Sequence, residues 1–405
     1  MSMKILHIVG GSPNNGVFKG ANILHKSLLQ ENIHSIILND TIVDKNGLNN
    51  FNSENLVFFN DSIFKKIFNK LFVNFEKVLK FIFLHSPRET FTIGLMGSDI
   101  TKIKEYKDAD IIHIHWLSQG FIKMKSLSKV KKPIVWTMRD MWSFTGGAHY
   151  TMDFLNYENS KISDYFKNYK KKIFKQNFHF VAVSNWLKEK AKDSDVLGDH
   201  EIIKIDNNIS VKDFNKIDKS KAHSLLNIST KKKIILYGAQ NPQSKRKGWN
   251  ILVETLKKID TSKYFLLLFG SFWSHKTLNK IGIEYLSLGF LDDKKKLNEA
   301  YSSSDFFLFP SIQEAFGKTC IEAMACGIPV ICFKDTSISE LIDHETDGYI
   351  VDKINSNDLK TGIEWMEKKV DENHFLNELV RKKVSNFDAK NIANKYINLY
   401  LSLLK

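Results

Sequence analysis

Phe306-Phe307-Leu308-Phe309-Pro310-Ser311-Ile312-Gln313-Glu314-Ala315-Phe316-Gly317-Lys318-Thr319-Cys320-Ile321-Glu322-Ala323-Met324-Ala325-Cys326-Gly327-Ile328-Pro329-Val330 reads as a strand, a glycine-containing loop, a helix, a glycine stop and a second strand. Glu314 falls in the loop just past the strand's carboxyl end, the edge at which open α/β sheets bind ligands. Gly317 lets the backbone approach a ligand closely, and Lys318 and Thr319 open a helix whose positive end suits a phosphate. Glu322, further along that helix, can face the same cleft and accept hydrogen bonds from sugar hydroxyls. Spacing alone also fits two solvated glutamates flanking a helix.

The same alternation runs outward from this segment in both directions. Strand-like runs recur at Lys4–Val9, His34–Leu38, Asp110–His115, Pro133–Thr137 and His179–Val183. A second series begins at Lys233–Tyr237 and continues at Tyr264–Phe269, Tyr285–Leu288, Asp305–Pro310 and Pro329–Phe333. Amphipathic helical stretches lie between them; over Ala21–Gln30, for example, Ile23, Leu24, Leu28 and Leu29 share one face. The pattern predicts an α/β chain in which each half carries its own parallel sheet. The polar stretch Ile205–Ser210 reads as the hinge between them.

Composition narrows the function classes. A chain of 405 residues that is 43% hydrophobic suits two globular domains rather than one core. No run of 18 apolar residues predicts a membrane-spanning helix, and the start, Met1–Val9, reads as a strand rather than a secretory signal. The three cysteines, Cys320, Cys326 and Cys332, lack metal-ligand spacing and form no disulfide framework, so no metal site and a cytoplasmic setting are expected. A net charge of +14 favours an anionic partner, or reflects lysine used as a solvated surface residue. Over Ser62–Leu84 a phenylalanine-rich face opposes a lysine-rich one, which fits either a helix lying on anionic lipid or a helix packed on the core.

Three further loops follow strands. Tyr237–Trp249 ends a strand at Gly238 and then carries Lys245, Arg246 and Lys247 before Gly248, cations able to neutralise a departing diphosphate. Gly10–Ala21 is a glycine-bearing loop before the first helix, a weak phosphate-loop signal or a plain chain turn. His113–Trp116 and Thr137–Tyr150 contribute His115, Arg139, Asp140 and His149 to the ends of two strands.

The 306–330 segment, with Glu340 and Asp347–Val351 beyond it, resembles the Glu-x7-Glu signature of retaining glycosyltransferases of family 4. The Thr137–Tyr150 block resembles one found in polysaccharide-building members related to colanic-acid glycosyltransferases. The resemblance implies the GT-B fold: two facing Rossmann-like domains with an interdomain cleft. It places an acceptor domain at 1–207, a nucleotide-sugar donor domain at 208–384 and, at 385–405, a helix returning to the first domain. It implies transfer of a sugar, with retention, from a UDP- or GDP-type nucleotide sugar to a saccharide acceptor, including a lipid-linked one, in surface polysaccharide synthesis. No metal or other cofactor is required and no nucleic acid is involved; the enzyme would be cytoplasmic, in reach of the inner membrane face.

By the same resemblance Glu314 lies by the donor sugar and Glu322 binds the ribose, with Gly238, Gly317, Lys318 and Thr319 beside the donor. Lys247 takes the lysine position of the pyrophosphate clamp. Ala239 stands where the family's arginine usually follows Gly238, leaving Arg246 or Lys245 as the second cation. A backbone amide near Gly20 would touch the diphosphate or the acceptor. Arg139 stands where many members place a histidine against the donor sugar, with Asp140, His115 and His149 close by in the cleft. Two other readings remain: a nucleotide-sugar 2-epimerase of the same fold, and a basic nucleic-acid-binding protein, for which no recognised motif appears.

Overall fold

Strands of the first half are buried on both faces, as parallel strands between helical layers must be: Ile5, Leu6, Ile8 and Val9 of β1 (Lys4–Val9) are all in the core. The computed structural model describes residues 3–40, 55–58, 89–117, 120–175, 177–272, 274–372 and 376–405. The stretch Ser62–Leu84 lies outside them. The chain divides into two compact units, Met1–Asn208 with Ala389–Lys405, and Ile209–Asp388.

In the N-terminal unit β1 is followed by β2 (His34–Asn39), β3 (Leu56–Phe58), β4 (Ile111–Trp116), β5 (Ile134–Met138), β6 (Phe178–Ala182) and β7 (Ile202–Lys204). They form one sheet in the order β3-β2-β1-β4-β5-β6-β7, with every pairing parallel. The order reverses between β1 and β4, so the loops leaving those strands open the topological switch point. The last helix, Ala389–Leu403, belongs to this unit: Ile392, Ala393, Tyr396 and Tyr400 pack with Met3, Ile5, Leu24, Leu28 and Ile111.

The C-terminal unit holds β8 (Lys233–Gly238), β9 (Tyr264–Phe269), β10 (Glu284–Ser287), β11 (Phe306–Phe309), β12 (Val330–Phe333) and β13 (Tyr349–Val351). Their order is β10-β9-β8-β11-β12-β13, again all parallel, which is the arrangement of a Rossmann-type sheet with its switch point between β8 and β11. Its core joins the strands to the helices Trp249–Leu256 and Ser356–Glu372 through Leu252, Leu256, Leu266, Leu308, Leu359 and Ile363.

Two expectations need correction. The pattern did not resolve β3, β7 and β13, three-residue strands at or near sheet edges that are too short to show a periodicity. The first helix begins at Gly16, not Ala21, because the Asn15 side chain caps it by accepting from the Phe18 amide at 2.7 Å. Gly20 therefore sits in the second helical turn, where amides have intrahelical partners, and its own N–H is not free for a ligand as a loop amide would be.

Candidate functional site

The candidate residues fall into two groups, one in each unit. In the C-terminal unit the loops leaving β8 and β11, which flank the switch point, bring Lys247 and Glu314 together. The Lys247 ammonium donates to Glu314 Oε2, and Arg246 Nη1 lies 3.7 Å from the same oxygen. The backbone makes this possible at Gly248, whose φ is +71°; a Cβ there would fall 1.9 Å from the Pro310 carbonyl oxygen. The loops are tied further by the Ile312 amide donating to the Arg246 carbonyl at 2.7 Å.

Burial would push the Glu314 carboxyl up, but the Lys247 and Arg246 charges and the Gly317 amide outweigh it, and its pKa lies below the usual value. Burial pulls Lys247 down despite the attraction of Glu314. Two cations against one carboxylate leave a net positive site, suited to an anion richer in charge than one carboxylate.

Gly317, with φ +72°, caps the helix Lys318–Ala325, and a Cβ on it would lie 2.5 Å from Ile338. Lys318 and Thr319 form the first turn of that helix. Lys318 reaches Glu322 Oε1 at 3.5 Å, one turn on. Glu322 is 5% exposed, and its Oε2 accepts from the Tyr301 hydroxyl at 2.9 Å. Burial and the adjacent Glu322 raise the Tyr301 pKa well above its usual value, so it remains a donor. Cys320 is buried within reach of the charges of Glu314, Lys247 and Glu322, and burial foremost keeps it a thiol. Gly238 has a packing role as well: a Cβ there would fall 2.4 Å from the Phe269 ring. Lys245 makes no ion pair among the described residues.

In the N-terminal unit Arg139 follows β5 and His115 lies within β4. Arg139 Nη2 is 2.9 Å from His115 Nδ1, and Nη1 donates to Asn207 Oδ1. His115 Nε2 is 2.9 Å from His7 Nδ1. His113 contacts the Tyr400 hydroxyl at 2.6 Å and Thr137 Oγ1 at 2.7 Å, which anchors the cluster to the last helix. Ligand atoms of His7, His113 and His115 lie within 4.8 Å of one another. Both nitrogens of His113 are engaged, however, and a guanidinium adjoins His115; this chemistry suits hydrogen bonding rather than a bound cation. Burial first, then neighbouring histidines and Arg139, hold all three histidines well below their usual pKa.

Asp140 and His149 form a separate pair: Asp140 Oδ2 is 2.6 Å from His149 Nδ1, and Asp140 Oδ1 accepts from the Trp142 amide at 2.9 Å. His149 Nε2 faces Thr92 Oγ1 at 3.3 Å. Two buried charges shape the loop that carries them. Lys170, 1% exposed, donates to the carbonyls of Trp142 and, at 2.9 Å, Thr145. Glu158 accepts from the amides of Gly146 at 3.1 Å and Ala148 at 3.3 Å.

His7, Tyr301, Glu158 and Lys170 were not legible as functional. His7 sits inside a strand run, and Lys170 in Lys170-Lys171-Lys172, which reads as a solvated charge run. Each acquires its partner from sequence positions far away or from the register of a helix.

Residues 218–383 match the family model described as glycosyl transferases group 1. An uncharacterised 41.2 kDa protein of the Klebsiella pneumoniae cps region is 26% identical over 340 residues, 80% of this chain and 87% of that protein. The capsular polysaccharide biosynthesis glycosyltransferase CapM of Staphylococcus aureus is 24% identical over 76% of this chain and 87% of its own length. Among solved structures, Anabaena HepE in complex with UDP-glucose superimposes with a TM-score of 0.68 at 16% identity, covering 99% of this chain and 100% of that one. With both parallel sheets, their strand orders and the group 1 match in one chain, this protein has the GT-B fold and carries a glycosyl transferases group 1 domain over residues 218–383.

Proposed function

We propose that the protein is a retaining glycosyltransferase that moves a hexose-type sugar from a UDP- or GDP-type nucleotide sugar to a saccharide acceptor carried on a lipid, in the building of a bacterial surface polysaccharide. The single observation that carries the reading is the Arg246–Lys247–Glu314 cluster at the switch point of the C-terminal sheet. The relatives support the setting, since one is named for capsular polysaccharide biosynthesis and another lies in a cps region. HepE, of similar fold, has been solved with UDP-glucose.

In this reading the donor diphosphate takes up the net positive charge of Arg246 and Lys247, drawing them from Glu314. Charge on the leaving phosphate grows as the glycosidic bond breaks, so fixed cations stabilise the transition state more than the bound donor. Glu314, released from Lys247, lies by the sugar. Glu322, buried and oriented by Tyr301 and Lys318, accepts the ribose hydroxyls. The acceptor hydroxyl passes its proton to the departing phosphate oxygen, so the reaction requires neither a separate base nor a metal. The stretch Ser62–Leu84, rich in phenylalanine and lysine at helical spacing, would bring the enzyme to an anionic membrane where lipid-linked acceptors lie.

The test is a transfer assay with a panel of nucleotide sugars and a lipid-saccharide extract, with the product's anomeric configuration read by nuclear magnetic resonance. Product retaining the donor's anomeric configuration is expected. Inverted product, or release of an epimerised free sugar with no transfer, overturns the reading.

A further inference from the structure

We propose that Arg139 is the centre of an oxyanion-binding subsite in the N-terminal unit, built to receive a carboxylate or phosphate group of a substrate. The proposal rests on the transferase reading only for which molecule carries that group.

The chain uses arginine sparingly: 55 of its 59 basic residues are lysine and only four are arginine. Lysine suffices for surface charge, whereas the planar fork of arginine matches carboxylate and phosphate oxygens two at a time. One arginine, Arg246, stands beside Glu314. Arg139 is the contrasting case, because among the described residues no carboxylate lies within ion-pair distance of it. Its two partners, Asn207 Oδ1 and His115 Nδ1, are neutral acceptors. They engage two of the five N–H donors of a guanidinium, and Nε is buried with no partner.

The surrounding hydrogen bonds orient this cation without neutralising it. Arginine can only donate, so His115 Nδ1 accepts and a neutral His115 carries its proton on Nε2. That proton is donated to His7 Nδ1, which puts the His7 proton on Nε2, an atom buried without a partner. The three histidines are held neutral, so Arg139 is the one charge of the cluster. Burial also pulls the Arg139 pKa down, a cost that a bound anion would offset. Gly20 leaves room beside the guanidinium: a Cβ there would stand 3.1 Å from Nη1 and 3.2 Å from Asn207 Oδ1. A half-buried guanidinium, fixed by neutral groups and lacking a counter-ion, is a receptor for an anion rather than a structural ion pair.

The experiment is isothermal titration of inorganic pyrophosphate and, separately, of glucuronate into the full chain carrying Arg246→Gln and Lys247→Ala, which removes the two cations that face Glu314 in the C-terminal unit. Binding of at least one anion is expected, weakened about tenfold or more when Arg139→Gln is added, the loss typical of a charge-assisted hydrogen bond. Pyrophosphate preference assigns the site to a diphosphate, glucuronate preference to a sugar carboxylate. Arg139→Lys, which keeps charge but not the fork, should restore only part of the binding.

Thermal unfolding separates a receptor from a structural arginine. Arg139→Gln removes an uncompensated charge, so its Tm should equal or exceed that of the parent, and the anion should raise only the parent's Tm. No binding of either anion at about 10 mM, or binding unchanged by Arg139→Gln, overturns the proposal. A Tm lowered by Arg139→Gln with no anion-linked rise in the parent overturns it too. None of these readouts depends on sugar transfer, so failure of the transferase reading would show in the transfer assay alone.

Discussion

The C-terminal unit holds its cations against a carboxylate, whereas the N-terminal unit holds Arg139 against neutral acceptors. The first arrangement is charge-balanced to within one unit and built from two loops at one switch point. The second is an unbalanced charge set among histidines that burial keeps neutral. The difference teaches that one Rossmann-type frame supports two ways of presenting positive charge. One is a preformed ion pair that a substrate must displace; the other is an oriented guanidinium that already lacks its partner.

The largest effect that would break this comparison lies in the backbone under the first site. Gly248→Ala places a carbon 1.9 Å from the Pro310 carbonyl oxygen at a φ of +71°, and a loss of about 3–5 kcal/mol of stability is expected by denaturant unfolding. Gly20→Ala, in a helix and against the movable ends of Arg139 and Asn207, should stay within about 1 kcal/mol of wild type. Equal costs at the two glycines would mean that the loops of the C-terminal unit are not held as described.

Next in size, Lys247→Ala should lower transfer about a hundredfold, close to 3 kcal/mol in the barrier, with a smaller effect on donor affinity. Steady-state kinetics decide it. A KM effect alone would make Lys247 a binding residue only.

Lys170 sharpens the N-terminal half of the comparison through pH. Burial lowers its pKa to about 7, against the raising effect of Glu158 and Asp140. Between about pH 7 and its unfolded value of about 10.4 the unfolded chain holds more protons than the folded one, so stability rises with pH across that window. The destabilisation by Lys170→Met, which also strands the carbonyls of Trp142 and Thr145, should therefore be about 2–3 kcal/mol larger at pH 9 than at pH 6. Unfolding curves for both proteins at the two pH values measure it, and a difference that shrinks toward pH 9 would refute a Lys170 whose pKa burial has lowered.

The smallest expected effect concerns Glu322. Tyr301→Phe removes one donor to a buried carboxylate, which should weaken nucleoside diphosphate binding by about 1 kcal/mol while leaving transfer per bound donor unchanged. Calorimetry checks the first part and single-turnover rates the second.

How much could be read in the chain follows the same division. Glu314, Gly317, Lys318 and Glu322 stand within one strand–loop–helix segment, and Lys247 within another, so local pattern exposed the candidate residues of the C-terminal unit. Most strands of both sheets were legible for a related reason, since a strand buried on both faces writes a continuous apolar run. The three short strands β3, β7 and β13 wrote no such run. The N-terminal site was legible only in part. Arg139, Asp140, His115 and His149 stood out after strands, but Asn207, His7 and Tyr400 join them from positions up to 287 residues apart, as in the His113–Tyr400 contact. Pairings of that kind depend on sheet order and on the return of the last helix, and no local spacing encodes them.

Glu314→Gln tests the central claim most directly, because the charge opposing Lys247 and Arg246 disappears while the shape is kept. Affinity for the nucleoside diphosphate by calorimetry and transfer rate per bound donor are measured on the same variant. The account predicts nucleotide affinity equal to wild type or tighter, by up to about tenfold as the two cations are freed, together with transfer lowered about a hundredfold or more. Weaker nucleotide affinity with an unchanged rate per bound donor would contradict it.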